Sequence, residues 1–475
     1  MRLTPQRHHA LTASLAIALT ATGLGACGNV SNVGADGGAA SAGTGGGAGG
    51  AVSSGSGGSA TGSGGAMGGK GGSAGGTGGA LAGATVYYRD VQPIVERACQ
   101  SCHVDGGIAP FVLASYEDAR THALPMAAAT KARQMPPWLP EAGCGDFRDS
   151  RALTDAEIAT INNWAATGAP AGDPRDARTG TPPTPPQLGT PGASLDPGAS
   201  YPAKAGLTDD YHCFLFDPAL AAQRDLIGFN IHPGAKTSVH HVLLFAIPPA
   251  SVAVAKAKDD AEAGAGWTCF GGAGVMGAQT IAGWVPGSGP GVFPPPTGIR
   301  LAAGTQIVMQ MHYNLLSLRE KSDRTTADLF YSTTPVSKPA VITGVANQSF
   351  VVPAGTREMT VTGVLDVKTQ AALWGVVPHM HLHGRRIKVE IIHPDGSTDC
   401  SVNIPGWDFH WQQFYYYKQP LRAMPGDKVQ LSCTYDNSPE SYPVTAGARP
   451  PPADLRWGEK TTDEMCLNYL YVSAP

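Results

Sequence analysis

Apolar positions along the chain show four textures in turn. Residues 11–24 form a mainly apolar run behind Arg2 and Arg7. Patterning then vanishes: residues 28–85 are nearly all Gly, Ala, Ser and Thr, with Asp36 and Lys70 the charges among them. Val91, Ile94, Val95 and Ala98 next recur at helical spacing, and Ile158, Ile161 and Trp164 repeat it. Pro93 fits the first of these helices only in its first turn. Thr154 and Glu157 form a capping box for the second, which Gly168 and Pro170 end. Beyond Tyr201 come short apolar runs broken by Gly, Pro and Asp, at 242–247, 307–312, 387–392, 429–435 and 467–472. No long amphipathic helix interrupts them, which is an all-β pattern.

The domain reading follows. The apolar run is too short for a comfortable membrane span and reads as a signal peptide, 1–26. Residues 27–85 cannot bury a core and read as a tether reaching roughly 40 Å. A small helical domain occupies 86–172, and a linker rich in Pro, Gly and Thr occupies 173–200. Two β-sandwiches, 201–336 and 337–475, complete the chain.

Composition sharpens this. A net charge of −4 with 15% charged residues leaves nothing basic enough to suggest nucleic acid. Nine cysteines point to metal, redox work or disulfides. The signal peptide ends Leu24-Gly25-Ala26-Cys27, which resembles a bacterial lipobox. Cys27 would then be the lipidated first residue of an exported, membrane-anchored lipoprotein facing the periplasm or cell surface, where disulfides form. The alternative is ordinary cleavage nearby with a free Cys27.

Two sets of residues carry chemistry. Cys99-Gln-Ser-Cys102-His103 is a C-x-x-C-H pattern, in which two thiols bind haem c covalently and the histidine is an axial ligand. A thioredoxin-like pair lacks its βαβ context here, and a zinc site lacks a second Cys/His pair. Met135, in Gln134-Met-Pro-Pro-Trp138, is the candidate sixth ligand. The segment resembles that of small cytochromes c, and Met126 and His122 compete with it. The second set centres on Val376-Val-Pro-His379-Met-His381-Leu-His383-Gly384. At a strand end, His379 and His381 project to one side as a metal-binding pair, with His383 either behind them or facing solvent. His240-His241, His312 and Met465 are the further candidates. Adjacent histidines can share one ion only where a strand bulges or ends.

These motifs, in this order from about Tyr201 onward, resemble the copper type II ascorbate-dependent monooxygenases, the family of the peptidylglycine α-hydroxylating and dopamine β-monooxygenases. With the C-x-x-C-H segment, the expected protein is multidomain: a small α-helical cytochrome c-like domain, followed by the two all-β jelly-roll-like sandwich copper domains that the resemblance implies. The resemblance also implies two copper ions, one on His240, His241 and His312, the other on His379, His381 and Met465. Thioether sulfur is soft and favours Cu(I), so the Met465 site would activate O2 and the three-histidine site would store an electron. Tyr469 matches the family's substrate-side tyrosine, while Gln310 and Tyr211 match positions along the electron route. The resemblance pairs Cys213 with Cys269 and Cys433 with Cys466. Cys144 and Cys400 are left to pair together or stay free. Two departures stand out: Val377 replaces the arginine that binds a substrate carboxylate, and Leu467 replaces an asparagine. The expected reaction is hydroxylation of a C–H bond in a small, neutral or amine-bearing molecule with O2. Electrons would come from an external donor, a redox protein or an ascorbate-like reductant, through the fused haem to the three-histidine copper. The alternative is a haem and copper electron-transfer or copper-handling lipoprotein without hydroxylase activity.

Overall fold

The computed structural model describes residues 83–475, apart from 106, 108, 179–187, 205, 287, 316–321 and 445–447. The signal peptide, Cys27 and nearly all of the tether lie outside the described residues. No described helix is long and apolar enough to cross a membrane.

The helical segment forms as its spacing dictates. A π-turn, Tyr87–Val91, runs into the helix Gln92–Ala98, with Pro93 in the first turn and Val91, Ile94, Val95 and Ala98 buried. Thr154 caps Asp155–Ala166 in the expected box, and Gly168 follows with φ of 87°, a conformation open to glycine without strain. A second box, Ser115 with Asp118, starts Tyr116–Thr121, and Ala123–Lys131 follows it. Fully buried Ile161 and Trp164 pack against Tyr87 and Leu113. The Trp164 indole donates to the Pro170 carbonyl at 3.0 Å.

Beyond Tyr201 the described structure is mostly strand. Residues with period-2 burial make these strands: in Gly384–Ile392, Ile387, Val389 and Ile391 are buried while Lys388 and Glu390 pair outside at 2.7 Å. The first β unit packs a five-stranded sheet against one face of a nine-stranded sheet. The five-stranded sheet includes Asp209–Phe216, Val239–Ile247 and Gln306–Asn314. The second unit packs a four-stranded sheet, built around Gly384–Ile392 and Lys428–Tyr435, against the other half of the nine-stranded sheet. The two sandwiches therefore share one sheet. The join is a parallel pairing of Thr297–Leu301 with Lys338–Asn347, at the point where sequence texture suggested only a boundary. Core residues cross it too, since Trp374 and Tyr471 of the second unit pack into the first core.

Two segments differ from their reading by composition. Within 173–200, Ala193–Leu195 forms a strand paired with Thr326–Tyr331, and Leu195 is buried in the first core. Pro and Gly content signals a flexible chain but not whether a short apolar triplet finds a free sheet edge. Residues 137–151 also leave the helices and run along the second sandwich as an arm. Cys144 is disulfide-bonded to Cys400, and Phe147 makes a β-bridge to Tyr417 and enters the second core. The Arg148 N–H donates to the Tyr416 carbonyl at 2.7 Å, and the Glu141 N–H to the Asn403 carbonyl at 2.8 Å.

Candidate copper centres

Val239–Ile247 and Gln306–Asn314 are antiparallel neighbours, and His312 lies opposite His241. Between that pair and Tyr313–Val239 the register shifts, leaving His240 as an extra residue. This is the bulge two adjacent histidine ligands require, because it turns His240 to the side of His241. The Nδ1 atoms converge: His240 to His241 at 3.3 Å, and His312 to His241 at 3.3 Å. The ligand atoms of all three lie within 4.8 Å of one another. The His312 Nε2–H donates to Asp209 Oδ1 at 2.8 Å, so its Nδ1 is left with a lone pair. The Thr461 hydroxyl donates to the same oxygen at 2.6 Å, so the second sandwich helps hold a histidine of the first. Tyr211 stacks on His312 with centroids 4.1 Å apart. Its hydroxyl donates to the Glu459 carbonyl at 2.6 Å. Gln310 is buried and donates to the Gly272 carbonyl at 3.0 Å, beside the Cys213–Cys269 disulfide.

Burial, reinforced by neighbouring imidazoles, pushes His240 down to about 3 and His241 well below the ordinary histidine range. Burial also lowers His312, against the opposing pull of Asp209. Three neutral imidazoles thus point nitrogen at nitrogen. A shared proton satisfies one such pair, whereas one cation satisfies all three, so the donor set fits a copper-type ion.

The second cluster is built where Ala371–His379 ends. The His379 Nδ1–H donates to Gln412 Oε1, and the Gln412 amide in turn donates to the Phe409 carbonyl at 3.0 Å, which fixes its orientation. The His381 Nδ1–H donates to the Asp463 carbonyl at 3.1 Å. Both rings therefore keep Nε2 free, the arrangement of metal-binding histidines held by outer partners. Their centroids are 5.1 Å apart and the rings stand at 89°. Burial lowers His379 to about 4 and His381 well below its ordinary value. Met465 is buried, its carbonyl accepts the Tyr435 hydroxyl at 2.7 Å, and the next residue, Cys466, is bonded to Cys433. The two imidazoles alone fit a copper-type ion, and the soft thioether of Met465 is the third donor that the motif order assigns to them. His383 is buried against Tyr442 and Ser441 and does not face solvent. Register places Val377 opposite Tyr469 and His379 opposite Leu467, so His379, Val377, Leu467 and Tyr469 share the sheet face turned to the first sandwich. Phe409 links the clusters, stacking on His240 at 4.6 Å and standing edge-on to His381 at 5.9 Å.

Glu464 is a site residue that motif reading missed. It is fully buried, and its carboxylate accepts the N–H of His381 at 3.0 Å and of His383 at 2.6 Å. Burial pushes it up to about 8 against those hydrogen bonds. An acid directly before Met465 was the available signal. Gln412 carried none.

In the helical segment, Cys99 and Cys102 are the free cysteines among the described residues. The N–H groups of Cys102 and His103 both donate to the Cys99 carbonyl, winding the three into one turn. The His103 Nδ1–H donates to the Phe111 carbonyl at 2.9 Å, leaving Nε2 free, and this donor set fits an iron porphyrin. Burial lowers His103 and raises the Cys99 thiol to about 11. Phe111 contacts both His103 and His122, stacking on the latter at 3.9 Å. Met126 is buried in the helical core, and Met135 is half-buried at the head of the arm.

Residues 340–473 match a family model described as copper type II ascorbate-dependent monooxygenase, C-terminal domain. The chain is 26% identical over 212 residues to tyramine beta-hydroxylase of Caenorhabditis briggsae, covering 41% of this chain and 34% of that one. It is 27% identical over 210 residues to DBH-like monooxygenase protein 1 of Gallus gallus, covering 40% and 32%. The human protein of the same name is 28% identical over 99 residues, 21% and 14% of the two chains. The matches thus span about a third or less of these curated relatives. The sandwich carrying His379, His381 and Met465 is therefore similar, through residues 340–473, to the C-terminal domain of the copper type II ascorbate-dependent monooxygenases.

Proposed function

We propose that this chain is a copper monooxygenase that hydroxylates a C–H bond of a small molecule. The reaction consumes O2, two electrons and two protons, and yields the alcohol and water. The observation that carries the reading is the pair of clusters sharing one aromatic ring: three neutral imidazoles with converging Nδ1 atoms, and across Phe409 two imidazoles whose Nδ1 atoms are taken by outer partners. The expected ligands are His240, His241 and His312 at one centre and His379, His381 and Met465 at the other. Copper held there would exchange single electrons and activate O2. Asp209 keeps the His312 tautomer, and Gln412 and the Asp463 carbonyl keep those of His379 and His381.

The substrate would lie over the face shared by His379, Val377 and Tyr469. Burial raises the Tyr469 hydroxyl to about 12, so at neutral pH it stays protonated and can donate to the substrate. Val377 offers no charge for a carboxylate, which favours a neutral or amine-bearing molecule over a peptide ending in glycine. One relative is named for tyramine, which makes that amine a suitable first probe. In this proposal Cys99 and Cys102 would hold a haem covalently, His103 and Met135 would be its candidate iron ligands, and such a group would supply one-electron transfer from an external donor. Export and a lipid anchor at Cys27 complete it, and the three disulfides among the described residues suit an oxidising compartment.

Purified protein should hold two copper ions and one haem, and should convert tyramine with label from 18O2 in the product when a reductant is supplied. Copper and haem without oxygen incorporation into any amine or neutral aromatic probe would favour the electron-transfer alternative.

A further inference from the structure

The loop that serves both clusters is held from outside by the arm 137–151. Residues 411–414 have no regular secondary structure, so no strand ladder fixes them. Their side chains do so instead. Gln412 points inward, bonded to His379 Nδ1 and to the Phe409 carbonyl. Gln413 has its partners on a different segment. Both ends of its amide are taken by the arm: Arg151 Nη2 donates to its Oε1 at 2.6 Å, and its Nε2 donates to the Pro137 carbonyl at 2.8 Å. Phe409, on the same loop, is the ring between His240 and His381.

We infer that the arm 137–151 is a positioning element of the His379 centre, acting through Gln413 and Gln412. This rests on the copper reading above. The arm is already anchored elsewhere by the Cys144–Cys400 disulfide, by Phe147 in the second core and by the Glu141–Asn403 pairing. The clasp on Gln413 is therefore not needed for docking. What it adds is a fixed backbone at 412–413, and with it the aim of the Gln412 carbonyl at His379. Outer partners of this kind set the tautomer and angle of a ligating ring, and their loss typically lowers metal affinity about 10–100-fold.

The test compares Gln412→Leu, Arg151→Ala, Arg151→Lys and Asn403→Ala in the full-length protein. Cu(I) affinity of the second centre is measured by chelator competition, and the His379 Nδ1–H resonance is followed in 15N-labelled metal-free protein. Thermal melts ensure that each variant is folded. Gln412→Leu should weaken the second centre about 10–100-fold. Arg151→Ala should weaken it in the same direction and shift the His379 resonance, and Arg151→Lys, which keeps a donor for Gln413, should recover most of both. Asn403→Ala loses an arm contact that does not reach 412–413, and should change neither. The inference is overturned if Arg151→Ala leaves both readouts at wild-type values, or if Asn403→Ala moves them as far. Should wild-type protein bind no copper while Arg151→Ala still moves the resonance, the positioning role stands and the copper reading fails.

Discussion

Asp209, Gln412 and Glu464 do for the clusters what the histidines cannot do alone. A neutral imidazole has two tautomers, and only an outer acceptor decides which nitrogen faces a metal. Asp209 does this for His312 and also accepts from Thr461 across the two sandwiches. Asp209→Ala should therefore lower copper affinity of the three-histidine centre about 10–100-fold and leave the other centre intact, as isothermal titration with each centre read separately would show. Met465→Ile should do the converse, removing the soft ligand and abolishing turnover while one copper per chain remains. Wild-type turnover in that variant would make the assignment of the second centre wrong. Glu464 holds the loop rather than a metal. Glu464→Ala strands the buried N–H groups of His381 and His383, at about 1–3 kcal/mol for each group left unpaired, which urea unfolding can measure.

Among elements, the bulge in Val239–Ile247 has the most direct consequence. It converts adjacent residues, which a regular strand sends to opposite faces, into two ligands on one side. Hairpins of the four-stranded sheet carry their own electrostatics. His393 closes the turn between Gly384–Ile392 and Thr398–Ile404, with Nδ1 3.0 Å from Asp427 and Nε2 3.2 Å from Asp399. Hydrogen bonding to Asp427, with Asp399 adding to it, raises the pKa of His393 above its ordinary value near 6.5. A group raised on folding stabilises most below its unfolded pKa, and the contribution fades as pH rises through the folded value. His393→Asn should therefore lower the melting temperature at about pH 5.5 and have little effect above about pH 8. A difference that grew with pH would contradict the pairing.

On the scale of the whole molecule, helical and β parts are joined by more than a linker. The Cys144–Cys400 disulfide spans 256 residues, and Phe147 and Trp138 pack with the second core. Removing both cysteines should cost about 2–5 kcal/mol of stability, as such bonds mainly restrict the unfolded chain. A fragment beginning at Tyr201 would lose the arm and the strand Ala193–Leu195 together, baring Tyr415, Tyr417 and one sheet edge. It should melt lower than the full chain and self-associate, as light scattering would report. The arm's contacts run to the second sandwich, so if Cys99 and Cys102 hold a haem as proposed, its electrons would not depend on chance encounters along a tether. Anaerobic stopped-flow should show haem oxidation at a rate independent of protein concentration.

Local chemistry made much of this legible in the sequence. Period-2 runs such as 387–392, the Thr154–Glu157 box and the position of Pro93 depend on near neighbours, and each formed as its residues require. The ligand candidates were legible as well, because His379 and His381 are two residues apart and adjacent His240 and His241 announce a bulge. The disulfides Cys213–Cys269 and Cys433–Cys466 followed from resemblance, whereas Cys144–Cys400 was open until the fold brought its halves together. What only tertiary structure decided are contacts between segments that carry no mark of each other: the sheet shared through Thr297–Leu301 and Lys338–Asn347, Glu464 beneath the histidine loop, Phe409 between the clusters, and Arg151 on Gln413. A glutamine has the same chemistry wherever it stands. Its role here comes from a partner 262 residues away, whose position is set by packing and not by any pattern in the surrounding chain.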